Sequence, residues 1–281
     1  MDARRHLVIP LAIAAVLCLI ADLLLAFVLT LPPGYASTTA ADQTVTGQIF
    51  SMVAGDVGIT VVVFAVYFAI AFSRGGESAA PASVIPDRVA TNLSIGWITA
   101  CTVLIFFAAG FGVIELEGQT APSLVVTSQA LARGAQNHPF IVQVIGQQWE
   151  WTYRYPQYGG FETQQLRIPT NRLVQFNVTS LDVTHQFWAY QLGVKIDANQ
   201  GVNNLGYVFV PKPTVIDVRC GELCGLWHGY MTDVGSQAGQ ALGPAAFASW
   251  LHHAEALYGP QVKNLPKYAL TYVPQPPIYG S

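Results

Sequence analysis

Five residues whose side chains or backbone can bind metal, Cys220, Glu222, Cys224, His228 and Met231, fall within one run, Cys220-Gly-Glu222-Leu-Cys224-Gly-Leu-Trp-His228-Gly-Tyr-Met231. A further imidazole, His185, lies upstream in an aromatic-rich stretch. Thiolate, imidazole and thioether form a soft donor set that selects copper over magnesium, calcium or manganese. The number of thiolates then decides the kind of site. A mononuclear blue-copper centre takes one Cys, two His and a weak axial Met, which would leave a second Cys idle. Two thiolates can instead bridge two coppers, one imidazole on each, with Met231 serving one ion and the backbone carbonyl of Glu222 the other. Such a core shares a single electron with little change of geometry and has no open position, so it suits electron transfer rather than substrate chemistry. Two plainer readings compete. Cys220 and Cys224 could form a disulfide in an oxidising compartment, or the two Cys and two His could hold zinc, although structural zinc rarely recruits Met and its usual spacings differ. The full donor set favours copper.

The elements that must carry these residues follow from composition. The 281 residues are 52% apolar and only 10% charged, against roughly 25% charged in ordinary soluble domains. That balance excludes a disordered chain, a nucleic-acid binder or a typical cytosolic enzyme. Apolar stretches at 7–31, 49–72 and 93–114 are each long enough for the roughly 20 residues that cross a bilayer core. The first exceeds the roughly 7 to 15 residues of a secretion-signal core and carries Pro10 and Asp22, so it reads as a retained span. Arg4, Arg5, Arg74 and Arg88 flank the spans on one side, while the loop 32–48 has no Lys or Arg. The positive-inside rule then puts everything after residue 115 outside the cytoplasm.

The expected organisation is a three-helix transmembrane anchor at 1–115, a connector at 116–137, a β-domain at 138–243, and a C-terminal helix with a Pro-rich tail at 244–281. In the β-domain the apolar period changes to two, at 140–146, 149–155, 172–178 and 214–219, which indicates a β-sandwich or barrel. The helix is expected from Pro244, a favoured first position, to about Tyr258, with Gly259 as its stop. The tail, with Pro260, Pro266, Pro274, Pro276 and Pro277, is expected to be extended.

The chain resembles subunit II of the haem-copper cytochrome c oxidases, which carries the binuclear CuA centre. The pattern C-x-E-x-C-x3-H-x2-M is matched in full by Cys220, Glu222, Cys224, His228 and Met231. Asp182-Val-Thr-His185-Gln-Phe187-Trp188 resembles the segment around the family's first histidine ligand. Gln148-Trp149-Glu150-Trp151-Thr-Tyr153 resembles its aromatic cluster, and Gly193-Val-Lys-Ile-Asp197-Ala resembles the segment after the histidine strand. The resemblance implies an all-β cupredoxin-like Greek-key barrel behind the membrane helices. It implies that Trp149 receives electrons from the donor, a cytochrome c or a small copper protein, and that Glu222 also helps bind magnesium or manganese at the border with subunit I. Subunits I and III would be partners in the cell membrane, with haem in subunit I reducing oxygen to water while protons are pumped. This chain would transfer electrons only. Glu150 departs from a common aromatic residue, Ala198-Asn199-Gln200-Gly201 replaces a commoner proline- and arginine-containing turn, and three spans exceed the usual mature two. The alternative is a membrane-anchored cupredoxin outside any oxidase. A quinol oxidase subunit would have lost the copper ligands, and nitrous-oxide reductase needs a large propeller for which there is no room.

Charge adds an expectation of its own. Residues 116–281 hold nine Lys+Arg and nine Asp+Glu, so the outer domain is formally neutral. It has little with which to steer a basic donor, and an apolar docking face around Trp149 is expected. The intramembrane carboxylates Asp22 and Asp56 are functional candidates by default, or else neutral packing residues. Trp188 and Trp227 are expected to pack around the copper loops and screen them from water. Cys18 and Cys101 are expected to be inert, adjacent His252 and His253 make a poor joint metal site, and no role is assigned to His138.

Overall fold

The structure, a computed structural model, describes residues 3–73, 87–120 and 139–264. The connector from 121 to 137, His138, Arg74 and the tail beyond 264 lie outside the described residues. The chain divides into two units, Met1–Leu31 with Val45–Val113, and Pro32–Thr44 with Ile114–Ser281.

The first unit is helical, drawn from α1 (Ala3–Phe27), α2 (Thr38–Ser73) and α3 (Asp87–Thr120). Segments Val8–Phe27, Thr38–Ala71 and Ser94–Val113 are long and apolar enough to cross a membrane. Helix α2 starts well before the apolar run that begins at Ile49. Ser37 explains the early start: its Oγ accepts the Ala40 N–H at 2.9 Å, capping the first turn. Helix α3 likewise runs on through residues 116–120, which were expected to open the connector. Cys18 Sγ lies 3.7 Å from the Asp56 carbonyl, and one oxygen of each of Asp22 and Asp56 is buried without a hydrogen-bond partner.

The second unit is a β-domain of three sheets. The largest joins β1 (Phe140–Gln147), β2 (Glu150–Tyr155), β3 (Phe161–Thr163), β5 (Leu173–Ser180) and β8 (Asn204–Phe209) in the order β3-β2-β1-β5-β8. A second sheet orders β11 (Thr232–Asp233), β10 (Val218–Cys220), β6 (His185–Ala189) and β7 (Val194–Ala198) as β11-β10-β6-β7. The third is β4 (Arg167–Pro169), β12 (Gly239–Leu242) and β9 (Thr214–Ile216). Neighbours are mostly non-consecutive, as the crossing connections of a Greek-key arrangement require. Period-two patterning is visible in the core: Phe140, Val142 and Val144 of β1, Trp151, Tyr153 and Tyr155 of β2, and Phe176 and Val178 of β5 are fully buried.

One expected strand is divided. Residues 214–219 form β9 and β10 in different sheets, because the backbone of Asp217 leaves the ladder: its N–H donates to Gln191 Oε1 at 2.7 Å and its carbonyl accepts the Tyr190 N–H at 3.0 Å. That switch delivers Cys220 to the second sheet, where it faces Phe187 of β6. Helix α4 (Pro244–Tyr258) has the expected bounds, but Gly259 keeps right-handed geometry and the chain continues as a 3-10 turn. The segment 32–44 lies on the domain, with Ser37 Oγ donating to the Leu192 carbonyl at 2.6 Å and Gln43 Nε2 to that of Gly193 at 2.9 Å.

Two buried phenols couple this core to pH. Tyr153 donates to Asp233 at 2.6 Å, and Tyr155 both donates to the Arg167 carbonyl at 3.1 Å and accepts its N–H at 2.8 Å. Burial raises both phenols above their ordinary range. The folded domain therefore keeps these protons where an unfolded chain, titrating near pH 10, releases them. Their contribution is complete below about pH 10 and is lost as pH rises further. Denaturation monitored by tryptophan fluorescence should show stability falling steeply above about pH 10. Tyr155→Phe should flatten that slope while costing about 1–3 kcal/mol at neutral pH, because the Arg167 backbone groups lose their partner.

Candidate metal centre

Strand pairing sets the site. Antiparallel β6 and β10 bring His185 and Cys220 to one end of the barrel, and the loop from Gly221 to Tyr230 folds back so that the Cys220 N–H donates to the Met231 carbonyl at 3.0 Å. The two sulfurs of Cys220 and Cys224 stand 3.7 Å apart, far beyond a disulfide's roughly 2.05 Å, and both cysteines are free. Each has its own flanking donors. Cys220 Sγ lies 3.8 Å from His185 Nδ1 and donates to the Glu222 carbonyl at 3.2 Å. Cys224 Sγ lies 3.4 Å from His228 Nδ1 and 3.8 Å from Met231 Sδ. His185, Cys220, Cys224 and Met231 are buried, His228 is half-buried, and the Glu222 side chain points outward. The six residues singled out in the sequence for metal binding therefore converge, Glu222 through its backbone.

The electrostatics favour at least one thiolate. Burial works to raise the Cys220 thiol, but hydrogen bonding with His185, with the backbone at Gln186 and Glu222, and with Cys224 outweighs it and lowers the group. Cys224 is pushed up by burial and by its neighbour Cys220. Asp182, quoted in the sequence only as part of the histidine segment, has a definite place here. Its Oδ1 lies 2.8 Å from His185 Nε2, and its carboxylate also accepts the N–H groups of Gln148 at 2.5 Å and Val183 at 2.7 Å. A carboxylate on Nε2 turns the Nδ1 lone pair toward the sulfurs, as the outer partners of metal-bound imidazoles do. Its position three residues before a candidate ligand was the available signal.

Two glycines make room. A Cβ on Gly146 would come within 3.1 Å of both His185 Cδ2 and Trp151 Cζ3, so the bare position lets the imidazole sit tightly against β1 without either ring giving way. Gly225 adopts φ +113°, and a Cβ there would meet Gln148 Nε2 at 2.9 Å and Trp149 Cζ2 at 3.4 Å. That close approach lets Trp149 Nε1 and Gln148 Nε2 both donate to the Cys224 carbonyl, at 3.2 and 2.8 Å. Trp149 thus reaches the metal loop through one hydrogen bond. Glu150 faces solvent and accepts from Gln147 Nε2 at 2.6 Å and Gln164 Nε2 at 2.7 Å.

The two other tryptophans differ from expectation. Trp188 lies on the outer face of β6, because His185, Phe187 and Ala189 alternate inward, and it packs against Tyr190 and beneath Lys195 Nζ. Trp227 is 49% exposed and so screens little. His252 and His253 are both exposed on α4.

Fold and site together define a β-domain with a cluster of soft ligands able to hold metal, following helices fit to cross a membrane. Residues 162–237 match the family model described as cytochrome C oxidase subunit II, periplasmic domain. The chain is 34% identical over 132 residues to a probable cytochrome c oxidase subunit 2 of Rickettsia prowazekii, covering 38% of this chain and 42% of that one. It is 39% identical over 97 residues to cytochrome c oxidase subunit 2 of Bacillus sp. strain PS3, covering 32% and 27%, and 27% identical over 206 residues to that of Bacillus subtilis, covering 71% and 56%. These matches span between 27% and 56% of the relatives' own lengths. The crystal structure of the periplasmic domain of cytochrome oxidase subunit II (CoxB) from Bradyrhizobium japonicum is 28% identical, with a TM-score of 0.40, covering 44% of this chain and 99% of that one. Over residues 162–237 the outer domain is thus similar to the periplasmic domain of cytochrome c oxidase subunit II, and the all-β domain expected behind the membrane helices is present.

Proposed function

We propose that the chain is the electron-accepting subunit of a proton-pumping terminal oxidase. The observation that carries this is the pair of unbonded thiols 3.7 Å apart, each flanked by an imidazole and a further soft or carbonyl donor. That donor set fits two copper ions and lacks the hard oxygen ligands that magnesium or calcium would need. When bound, a thiolate-bridged copper pair would accept one electron from an extracytoplasmic donor and release it to haem in subunit I with little rearrangement. The remaining work falls to the protein. Cys220, Cys224, His185, His228, Met231 and the Glu222 carbonyl are the groups that would hold the copper. Asp182 fixes the His185 tautomer. Trp149 receives electrons over the Cys224 carbonyl. The outward Glu222 carboxylate would help hold a magnesium or manganese ion at the border with subunit I, with subunit III as a further partner. The helices anchor the chain in the cell membrane with the β-domain outside, and oxygen is reduced to water on subunit I.

The test is copper stoichiometry and the electron paramagnetic resonance spectrum of the complex purified from its membrane. A mixed-valence signal coupled to two equivalent copper nuclei, with haem copurifying, is expected. A single copper, zinc or an oxidised cysteine pair would defeat the reading, and a copper pair without a haem partner would leave a tethered cupredoxin. Ionic strength gives a second check. The neutral outer domain should give a rate of electron uptake from cytochrome c that changes less than about threefold as salt is raised, where a steered encounter falls steeply.

A further inference from the structure

A cavity of about 140 Å³ opens between β2 and β11, strands of different sheets. Oxygen-bearing residues line it: the acids Glu150 and Asp233, the amides Gln164 and Gln237, and Thr232, with no Lys or Arg among the lining residues. These groups are not spent on one another. Asp233 is only 9% exposed, yet among the described residues a single hydrogen bond reaches its carboxylate, from the Tyr153 hydroxyl at 2.6 Å. Gln164 gives its amide N–H to Glu150 at 2.7 Å, which leaves its carbonyl oxygen available. Trp151, fully buried, also lines the cavity, and its indole N–H has no acceptor among the described residues. A buried carboxylate beside a second one is costly unless a positive charge joins them, and the lining supplies none.

We propose that this cavity is a calcium site that ties β2 to β11. The donors are hard oxygens from two carboxylates, two amides and a hydroxyl, the set that suits calcium. Two carboxylates balance the charge of one divalent ion, and neutral oxygens with waters complete a shell of 6 to 8 at irregular positions. Magnesium, which demands a near-octahedral shell and gives up its waters reluctantly, fits such a set less well. At roughly 30 Å³ for each water, the cavity holds the ion with a few of them, and one such water gives the Trp151 N–H its acceptor. The bound ion would clamp Glu150, next to Trp149, to Asp233, two residues beyond Met231, and so brace the first sheet against the second beside the metal loop. The assignment does not depend on copper or on the electron-accepting role.

The test uses the intact complex with terbium, a calcium stand-in whose luminescence is excited through nearby tryptophan; Trp149 and Trp151 line this cavity. Terbium should give a sensitised signal that calcium displaces at about 0.1–1 mM, the range of extracellular calcium modules, and magnesium only at concentrations at least roughly tenfold higher. Glu150→Gln changes an exposed side chain and should weaken binding at least roughly tenfold, since affinity follows the number of charged ligands. Asp233→Asn, which keeps an oxygen for Tyr153, should do the same. Glu162→Gln removes a carboxylate that pairs with Arg154 outside the cavity and should leave binding unchanged. Equal binding by the unaltered and Glu150→Gln complexes, equal weakening by Glu162→Gln, or magnesium competing as well as calcium overturns the proposal. A two-copper signal missing from the unaltered complex overturns the electron-accepting role instead and leaves the terbium result to decide this one.

Discussion

Replacing either thiol by serine, as in Cys220→Ser or Cys224→Ser, is expected to abolish the resonance pattern of two coupled coppers in the assembled complex. Electron uptake from cytochrome c should fall by more than about a hundredfold, because losing even an outer partner of a metal ligand costs about 10–100-fold. Serine matches the thiol in size and both positions are buried, so the barrel should keep its fold while its soft donor becomes a hard one. The two substitutions should act alike in outcome, since each sulfur has its own flanking pair and neither pair suffices for a bridged centre. The alternatives predict otherwise. A structural disulfide would make either change cost stability, about 2–5 kcal/mol, with no metal lost. A mononuclear copper site would tolerate one of the two. Copper analysis and resonance spectra of both variants separate these cases, and a two-copper pattern surviving in either would end the binuclear reading.

How much of this could be read in the sequence depends on how local each signal is. The C-x-E-x-C-x3-H-x2-M run fixes its donors within one loop, so its convergence follows from short spacings. His185 stood out as an upstream soft donor, but its nearness to Cys220 comes through the pairing of β6 with β10, a long-range register that no local pattern encodes. The division of 214–219 was hidden for the same reason: alternation runs unbroken through Asp217, and the break comes from Gln191 and Tyr190 claiming its backbone. Helix α2 was read too short because apolarity alone marked its start, whereas the polar first turns are held by the Ser37 cap and by contacts to Leu192 and Gly193. Trp227 was misplaced because a Trp beside a metal motif suggests shielding, and only the loop's geometry shows that it faces solvent. Asp182 sat in view, but its role needs the angle of the imidazole it holds.

Phe187→Ala should be the most damaging change outside the metal ligands. The ring is fully buried, meets Phe176 at 5.2 Å, Trp151 at 5.6 Å and Tyr153 at 6.4 Å, and stands across from Cys220 in the β6–β10 ladder. Removing it leaves a cavity among three aromatic rings that cannot collapse together, at an expected cost of about 3–5 kcal/mol. Against a total of about 5–15 kcal/mol for a domain, that approaches the threshold of unfolding. The cavity also borders the site, because Trp151 packs against His185 as well, with ring centroids 6.0 Å apart. Copper stabilises only the folded form, in proportion to how tightly it is held. If Phe187 filled space alone, the loss would be equal with and without metal; because it also braces the strands carrying His185 and Cys220, the copper-loaded complex should lose more than the chelated one. Denaturant titrations of both forms, monitored by tryptophan fluorescence, read this difference directly. A loss below about 1 kcal/mol in either form would contradict the packing described for this core, since even losing a methylene from a well-filled interior costs that much.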